Sequence, residues 1–258
     1  MRSSFQIQLS VIRALFFREL KTRFGKYSLG YAWALLEPLA HVLILVFIFS
    51  FIRIRGGYQG IEFALFFAAG IIPYLLFSKI AISGATTVEA NKGLFNYRQV
   101  KPFDAFITRA LLESIIYFLA SIILLILFAW WGFDIHLANP LFMLMLLAIV
   151  ILFGLGLSLL LGVAAVYFND VAKFASMLLR PMYLLSGVLF PFDRIPQPYQ
   201  DWLLLNPIAH AVELMRVAWF GLYFSPATDL KYLSLWTLSL CAVGMLAYRS
   251  HWRKMVAA

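Results

Sequence analysis

From Pro140 to Phe168 the chain carries no charged residue. A helix needs about 20 mainly apolar residues to cross the hydrocarbon core of a bilayer, within a range of roughly 17–25. Only helices and closed barrels satisfy their own backbone groups in lipid. Phe63 to Ser78, Ser114 to Phe133 and Tyr232 to Tyr248 are also free of charge. No run of alternating hydrophobicity marks barrel strands, so these stretches read as membrane helices. Composition agrees, with 63% hydrophobic and 13% charged residues, against about 25% charged in soluble domains.

The expected fold is an all-α membrane protein, a single transmembrane domain over residues 1–258. An amphipathic interface helix occupies 1–28. Phe5, Leu9, Ile12, Phe16 and Leu20 share one face, with Gln6, Ser10, Arg13 and Lys21 opposite. Gln8 and Glu19 fall near the apolar arc and spoil the pattern. Such a helix lies in the membrane interface or packs on a partner. Six spans follow within 29–250, near 30–52, 62–82, 107–131, 141–168, 174–190 and 231–248. A polar loop covers 83–106. The stretch 191–230 holds five prolines between apolar pieces and reads as short re-entrant helices dipping in from the outer side, covered by protein or a cavity. Within it, Glu213 and Arg216 stand three apart and can pair on one helix face.

Lysine and arginine set the orientation. With the N-terminus inside, fifteen basics fall on the inner side and five on the outer: Arg53, Arg55, Arg194, Arg216 and Lys231. Both termini are therefore expected in the cytoplasm. The basic residues before Lys26 leave no apolar core for a cleavable signal peptide. Cys241 is the sole cysteine, so no disulfide can form within the chain.

Several chemistries find no support in the sequence. There is no G-x-x-x-x-G-K-[ST] phosphate loop; Gly25-Lys26 is followed by Tyr27. His41, His136, His210 and His251 are scattered, so no metal cluster and no catalytic triad can be argued. The expectation is a chain without catalytic residues, metal or bound cofactor.

Three stretches carry a resemblance. The run Arg23-Phe24-Gly25-Lys26-Tyr27-Ser28-Leu29-Gly30-Tyr31-Ala32-Trp33-Ala34-Leu35-Leu36-Glu37-Pro38 resembles the N-terminal signature of type-2 ABC exporter permeases for polysaccharides. Glu89 to Pro102 resembles their first cytoplasmic loop, and Asn206-Pro207 with Glu213 and Arg216 their outer segment. The capsular polysaccharide export permeases of Gram-negative bacteria match best. The resemblance implies an inner-membrane homodimer with two separate ATPase subunits that hold ATP and Mg. It also implies a periplasmic adaptor, an outer-membrane channel and a lipid-linked acidic polysaccharide as substrate. O-antigen or teichoic-acid export by the same architecture is the alternative. Membrane lipids are further partners; nucleic acid is not.

Glu89, Asn91, Lys92, Leu94, Phe95, Tyr97 and Arg98 are the candidate ATPase contact, with Leu94, Phe95 and Tyr97 as apolar anchors between basic residues. The bland alternative is a basic loop at lipid headgroups. Ionisable residues inside spans are costly and mark function. Glu37 and His41, one turn apart, and Arg180, which precedes Pro181, are therefore candidates for a translocation path. Tyr31, Trp33, Tyr74, Phe77 and Tyr183 are candidate sugar-stacking rings or lipid-facing belt residues. Arg53, Arg55, Arg194, Glu213 and Arg216 are assigned to the outer mouth, where the basics either draw an anionic polymer or pair with lipid phosphate and nearby carboxylates. Gly154, Ser158 and Gly162 allow close packing, against either a second protomer or the same bundle.

Overall fold

The computed structural model describes residues 4–25, 30–52, 60–225 and 228–257. Arg53 and Arg55 lie outside them. Ten α-helices and no strands occur among the described residues. They are α1 (Ser4–Phe24), α2 (Ala32–Ile52), α3 (Phe63–Asn91), α4 (Pro102–Trp130), α5 (Pro140–Ala165), α6 (Val171–Leu179), α7 (Met182–Leu185), α8 (Tyr199–Leu203), α9 (Pro207–Phe220) and α10 (Leu230–Ala257). Five of them, α2, α3, α4, α5 and α10, are long and apolar enough to cross a membrane.

Two expectations change here. The polar stretch 83–106 is mostly helix: α3 runs on to Asn91, and α4 already begins at Pro102. Only a short turn joins them. Pro102 sits at the first helical position, where its missing N–H costs nothing, and the Asp104 carboxylate accepts the Lys101 backbone N–H at 3.0 Å. The expected span 174–190 is not one helix. It breaks at Arg180-Pro181 into α6 and α7, because proline has no N–H to give and its ring crowds the carbonyl four residues back.

The central element is α3, buried along most of its length. Its small residues let neighbouring backbones approach. A Cβ on Gly84 would collide with the Ser158 backbone, one on Gly154 would press on Ile80, and one on Gly162 would meet the Phe106 ring. The small-residue stripe of α5 therefore meets α3 and α4 of the same bundle. A second seam was not read from the sequence: Gly156 faces Leu240 and Cys241, and Gly244 faces the Gly156 carbonyl, which draws α10 onto α5. Without a hydrophobic driving force between helices in lipid, such close van der Waals packing is what holds a bundle together.

Replacing Gly84 by valine is expected to lower stability by at least about 1–3 kcal/mol, the usual range for overpacking. Gly93→Val, where a Cβ meets nothing within 4 Å, is the control. Thermal unfolding of the detergent-solubilised protein separates them, and equal midpoints would contradict the packing described.

The C-terminal part of α10 meets the α3–α4 turn. Val88, Phe95, Phe106, Leu159, Val163 and Met255 form one buried cluster there, so the ends of α3, α5 and α10 and the start of α4 converge. At the opposite end, the Ala138 and Asn139 N–H groups donate to the Trp219 and Ala218 carbonyls, both at 2.9 Å. This fastens α9 to the α4–α5 connection.

Candidate functional site

The break between α6 and α7 opens a cleft of about 420 Å³. Glu37, Pro38 and His41 of α2 line it, with Tyr74, Ser78 and Lys79 of α3, Tyr117 of α4, and Ser176, Arg180 and Tyr183 at the break. Five of the eight residues assigned to a translocation path, Glu37, His41, Tyr74, Arg180 and Tyr183, thus share one cavity. The last carbonyls of a helix have no partner within it. The Tyr74 hydroxyl supplies one to the Leu179 carbonyl, at the last residue of α6. Its ring lies edge-on to Tyr183, centroids 6.3 Å apart.

Lys79, near the end of an apolar run, donates to Glu37 Oε1 at 2.5 Å. Glu37 is thereby neutralised, and the exposed Arg180 has no carboxylate partner among the described residues. The balance of charge in the cleft is positive. Ser78 lies one turn beyond Tyr74, a spacing legible in the sequence but not read. Three path candidates stand elsewhere. Tyr31 and Trp33 are exposed where α2 begins. Phe77 is buried and stacks on Phe153, centroids 5.1 Å apart, so it is a packing residue.

The α3–α4 turn divides its candidates. Glu89, Lys92, Tyr97 and Arg98 are exposed and Leu94 is half-buried. Phe95 is buried in the cluster described above, so it holds the turn rather than projecting from it. Asn91 is buried too, and its side-chain oxygen accepts from Arg18 at 2.7 Å.

The helix α1 docks on this same end. Gln8 donates to Asp104 at 2.8 Å, Glu19 pairs with Arg109 at 2.7 Å, and Arg23 pairs with Glu113 at 2.5 Å. Arg109 also donates to the Ser83 carbonyl at 2.9 Å and the Thr86 hydroxyl at 2.8 Å. Burial works against the Arg23 charge, but Glu113 outweighs it and the guanidinium sits above its ordinary range. Gln8 and Glu19, which spoiled the amphipathic pattern, are therefore the residues that grip α4. A groove of about 730 Å³ runs between α1 and the turn, lined by Val11, Ala14, Leu15, Leu94 and Val100 among others.

The residues assigned to an outer mouth separate as well. Arg194 is exposed on the turn after α7. Glu213 and Arg216 pair at 2.5 Å, as their spacing predicts, but both are fully buried. Arg216 also donates to the Phe66, Gly187 and Val188 carbonyls at 3.3, 2.9 and 2.7 Å, and lies 3.6 Å from the Phe66 ring centroid. Tyr223 donates to the second Glu213 oxygen at 2.6 Å. Gly187 holds a positive φ of 71° against the Phe192 ring, which turns its carbonyl to Arg216. Asn206 caps α9 by accepting the Ile208 N–H at 3.2 Å, and reaches Ser186 at 3.0 Å. These residues form an internal latch joining α9, α3 and the segment after α7.

An all-helical bundle with five helices long and apolar enough to cross a membrane is the architecture of an integral membrane protein. Residues 10–220 match the ABC-2 type transporter family, and the chain belongs to it. Over 100% of its length it is 42% identical to the polysialic acid transport protein KpsM of Escherichia coli, covering 99% of that protein. It is 28% identical to the capsule polysaccharide export inner-membrane protein CtrC of Neisseria meningitidis, over 94% of this chain and 91% of that one. The O-antigen export system permease protein RfbA of Klebsiella pneumoniae is more distant, at 23% over 84% and 82%.

Proposed function

We propose that this chain is the permease of an ATP-driven exporter that moves a lipid-linked acidic capsular polysaccharide outward across the bacterial inner membrane. The end-to-end similarity to KpsM carries this reading, since that relative is named for transport of an acidic polymer. The positive cleft is its physical counterpart. Arg180, the partnered Lys79, and the Tyr74 and Tyr183 rings offer charge and stacking faces to an anionic sugar chain. O-antigen or teichoic-acid export ranks behind it, in line with the lower identity to RfbA.

Six crossings fit the way the ends of the bundle are built. That α5 ends beside the α3–α4 turn and α10 returns to it supports one further crossing between them. The broken α6–α7 segment is the candidate for that crossing. Buried α9, too short to span, is re-entrant from the outer side. Both termini then lie in the cytoplasm with the α3–α4 turn.

The active unit in this reading is a homodimer with two ATPase subunits, which hold ATP and Mg. A periplasmic adaptor and an outer-membrane channel continue the route. The ATPase docks on Glu89, Lys92, Leu94, Tyr97 and Arg98, along the groove beside α1, while Asn91 and Phe95 brace that surface from inside. Tyr97→Ala is expected to reduce ATPase co-purification several-fold with little change in unfolding midpoint, because Tyr97 is exposed. Phe95→Ala is expected to cost about 3–5 kcal/mol of stability. The reverse pattern, a stable Phe95→Ala and an unfolded Tyr97→Ala, contradicts this division. Export itself is tested by supplying the chain to encapsulated cells whose own permease gene is deleted. Restored surface polymer supports the reading, and polymer retained inside despite normal insertion opposes it.

A further inference from the structure

Between the α3–α4 turn and the C-terminal end of α10 lies a second cleft at this same end of the bundle, of about 580 Å³. Arg98, Lys101 and Arg249 line it, with Phe103, Tyr248 and Trp252. The three basic residues are exposed, and none pairs with a carboxylate among the described residues. The nearest acidic group in sequence, Asp104, is buried and already accepts from Gln8 and the Lys101 backbone. The Phe103 and Tyr248 rings meet at 5.5 Å and floor the cleft.

The site continues onto lipid. Met245, Arg249 and Trp252 fall at i, i+4 and i+7 on α10, one helical face. Above them Leu238 and Ala242 continue that face and are exposed on a helix apolar enough to span. Cations at the membrane boundary, an aromatic floor and an open apolar face above describe the cavity of an anionic amphiphile. Basic pockets between spans at the inner boundary take acidic lipid headgroups.

We propose that this cleft binds the phosphate headgroup of an anionic phospholipid. Its acyl chains lie along α10, and its phosphate bridges Lys101 of the turn to Arg249. The lipid pins the turn against α10 and steadies the surface beside it. Any effect on coupling rests on the ATPase role proposed above; the binding site itself does not.

The test uses the full chain purified in a neutral detergent and follows its unfolding midpoint. Phosphatidylglycerol is expected to raise the midpoint, while phosphatidylcholine and inorganic phosphate leave it unchanged. The K101Q/R249Q variant should need roughly thirtyfold more phosphatidylglycerol, about fivefold for each charge lost near the membrane surface. The K101R/R249K variant should respond like the parent. K173Q, which removes an exposed basic residue from the first turn of α6, should do the same. The single variants K101Q and R249Q, each expected to shift about fivefold, serve if the double variant does not accumulate.

Equal stabilisation by phosphatidylcholine overturns the proposal, as does an unaltered response of K101Q/R249Q. An equal loss in K173Q would mean general attraction to basic protein, and stabilisation by inorganic phosphate alone would mean an anion site without lipid. If K101Q/R249Q keeps its lipid response but no longer retains the ATPase, the cleft is a protein contact and the lipid assignment falls.

Discussion

Arg216→Ala is expected to leave little folded protein in the membrane, with stability reduced by about 3–5 kcal/mol. The loss comes less from the missing attraction than from what remains. Glu213 would keep its carboxylate at zero exposure with only the Tyr223 hydroxyl as partner. The Gly187 and Val188 carbonyls would lose their donor, and each unsatisfied buried polar group costs about 1–3 kcal/mol. Lysine cannot repair this, since one ammonium has no planar fork to serve carbonyls on two segments at once. Removing both charges with apolar residues of similar size, as in Arg216→Met with Glu213→Leu, should cost less than Arg216→Ala alone, because no charge is then stranded. Gly70→Val should resemble Arg216→Ala, since a Cβ there would stand 2.6 Å from Arg216 Nη2. Membrane yield and unfolding midpoint report each variant. An Arg216→Ala protein as stable as its parent would mean that the latch carries no weight.

Lys79→Gln combined with Arg180→Gln should have the opposite profile, with near-normal folding and export lowered by roughly tenfold or more for each cation that meets the polymer. Hydrogen bonds to charged groups are worth about 1.5–3 kcal/mol, and 1.4 kcal/mol is tenfold. Folding survives because both residues are at least partly exposed in the cleft, and the one ion pair lost, between Lys79 of α3 and Glu37 of α2, is a part-exposed pair of the kind worth about 0–1 kcal/mol. Lys79→Gln alone leaves Glu37 without its partner and adds a negative charge to the path. Glu37→Gln should therefore recover part of the export lost in Lys79→Gln. Surface polymer per inserted permease is the quantity to measure, and no recovery would separate Glu37 from the path.

The contrast between these two groups explains what the sequence could convey. Charge-free runs identify α3, α4, α5 and α10 because lipid leaves such segments one structure. Local spacing also gave the Glu213–Arg216 pair. Burial was not legible. Arg216 on the outer side counts the same in a charge tally whether it faces a mouth or a core, and only the approach of Gly70 and the turn at Gly187 decide it. Phe95 and Tyr97 differ by two residues and share aromatic character, yet Met255, at the far end of the chain, helps bury one and not the other. Lys79 near the end of an apolar run looks like any snorkelling lysine until Glu37 of another helix lies 2.5 Å away. The resemblance named the family, while the cleft emerged only when α2, α3 and the broken segment were brought together.

The most direct measurement is transport in proteoliposomes holding this chain with its ATPase. The liposomes are loaded on the ATPase side with a lipid-linked acidic polysaccharide. ATP should drive polymer to the opposite side, and Lys79→Gln/Arg180→Gln should slow that movement while the complex stays assembled. Equal transport by the parent and the double variant would contradict the cleft as the path, and no ATP-dependent movement in the assembled parent complex would contradict the exporter reading itself.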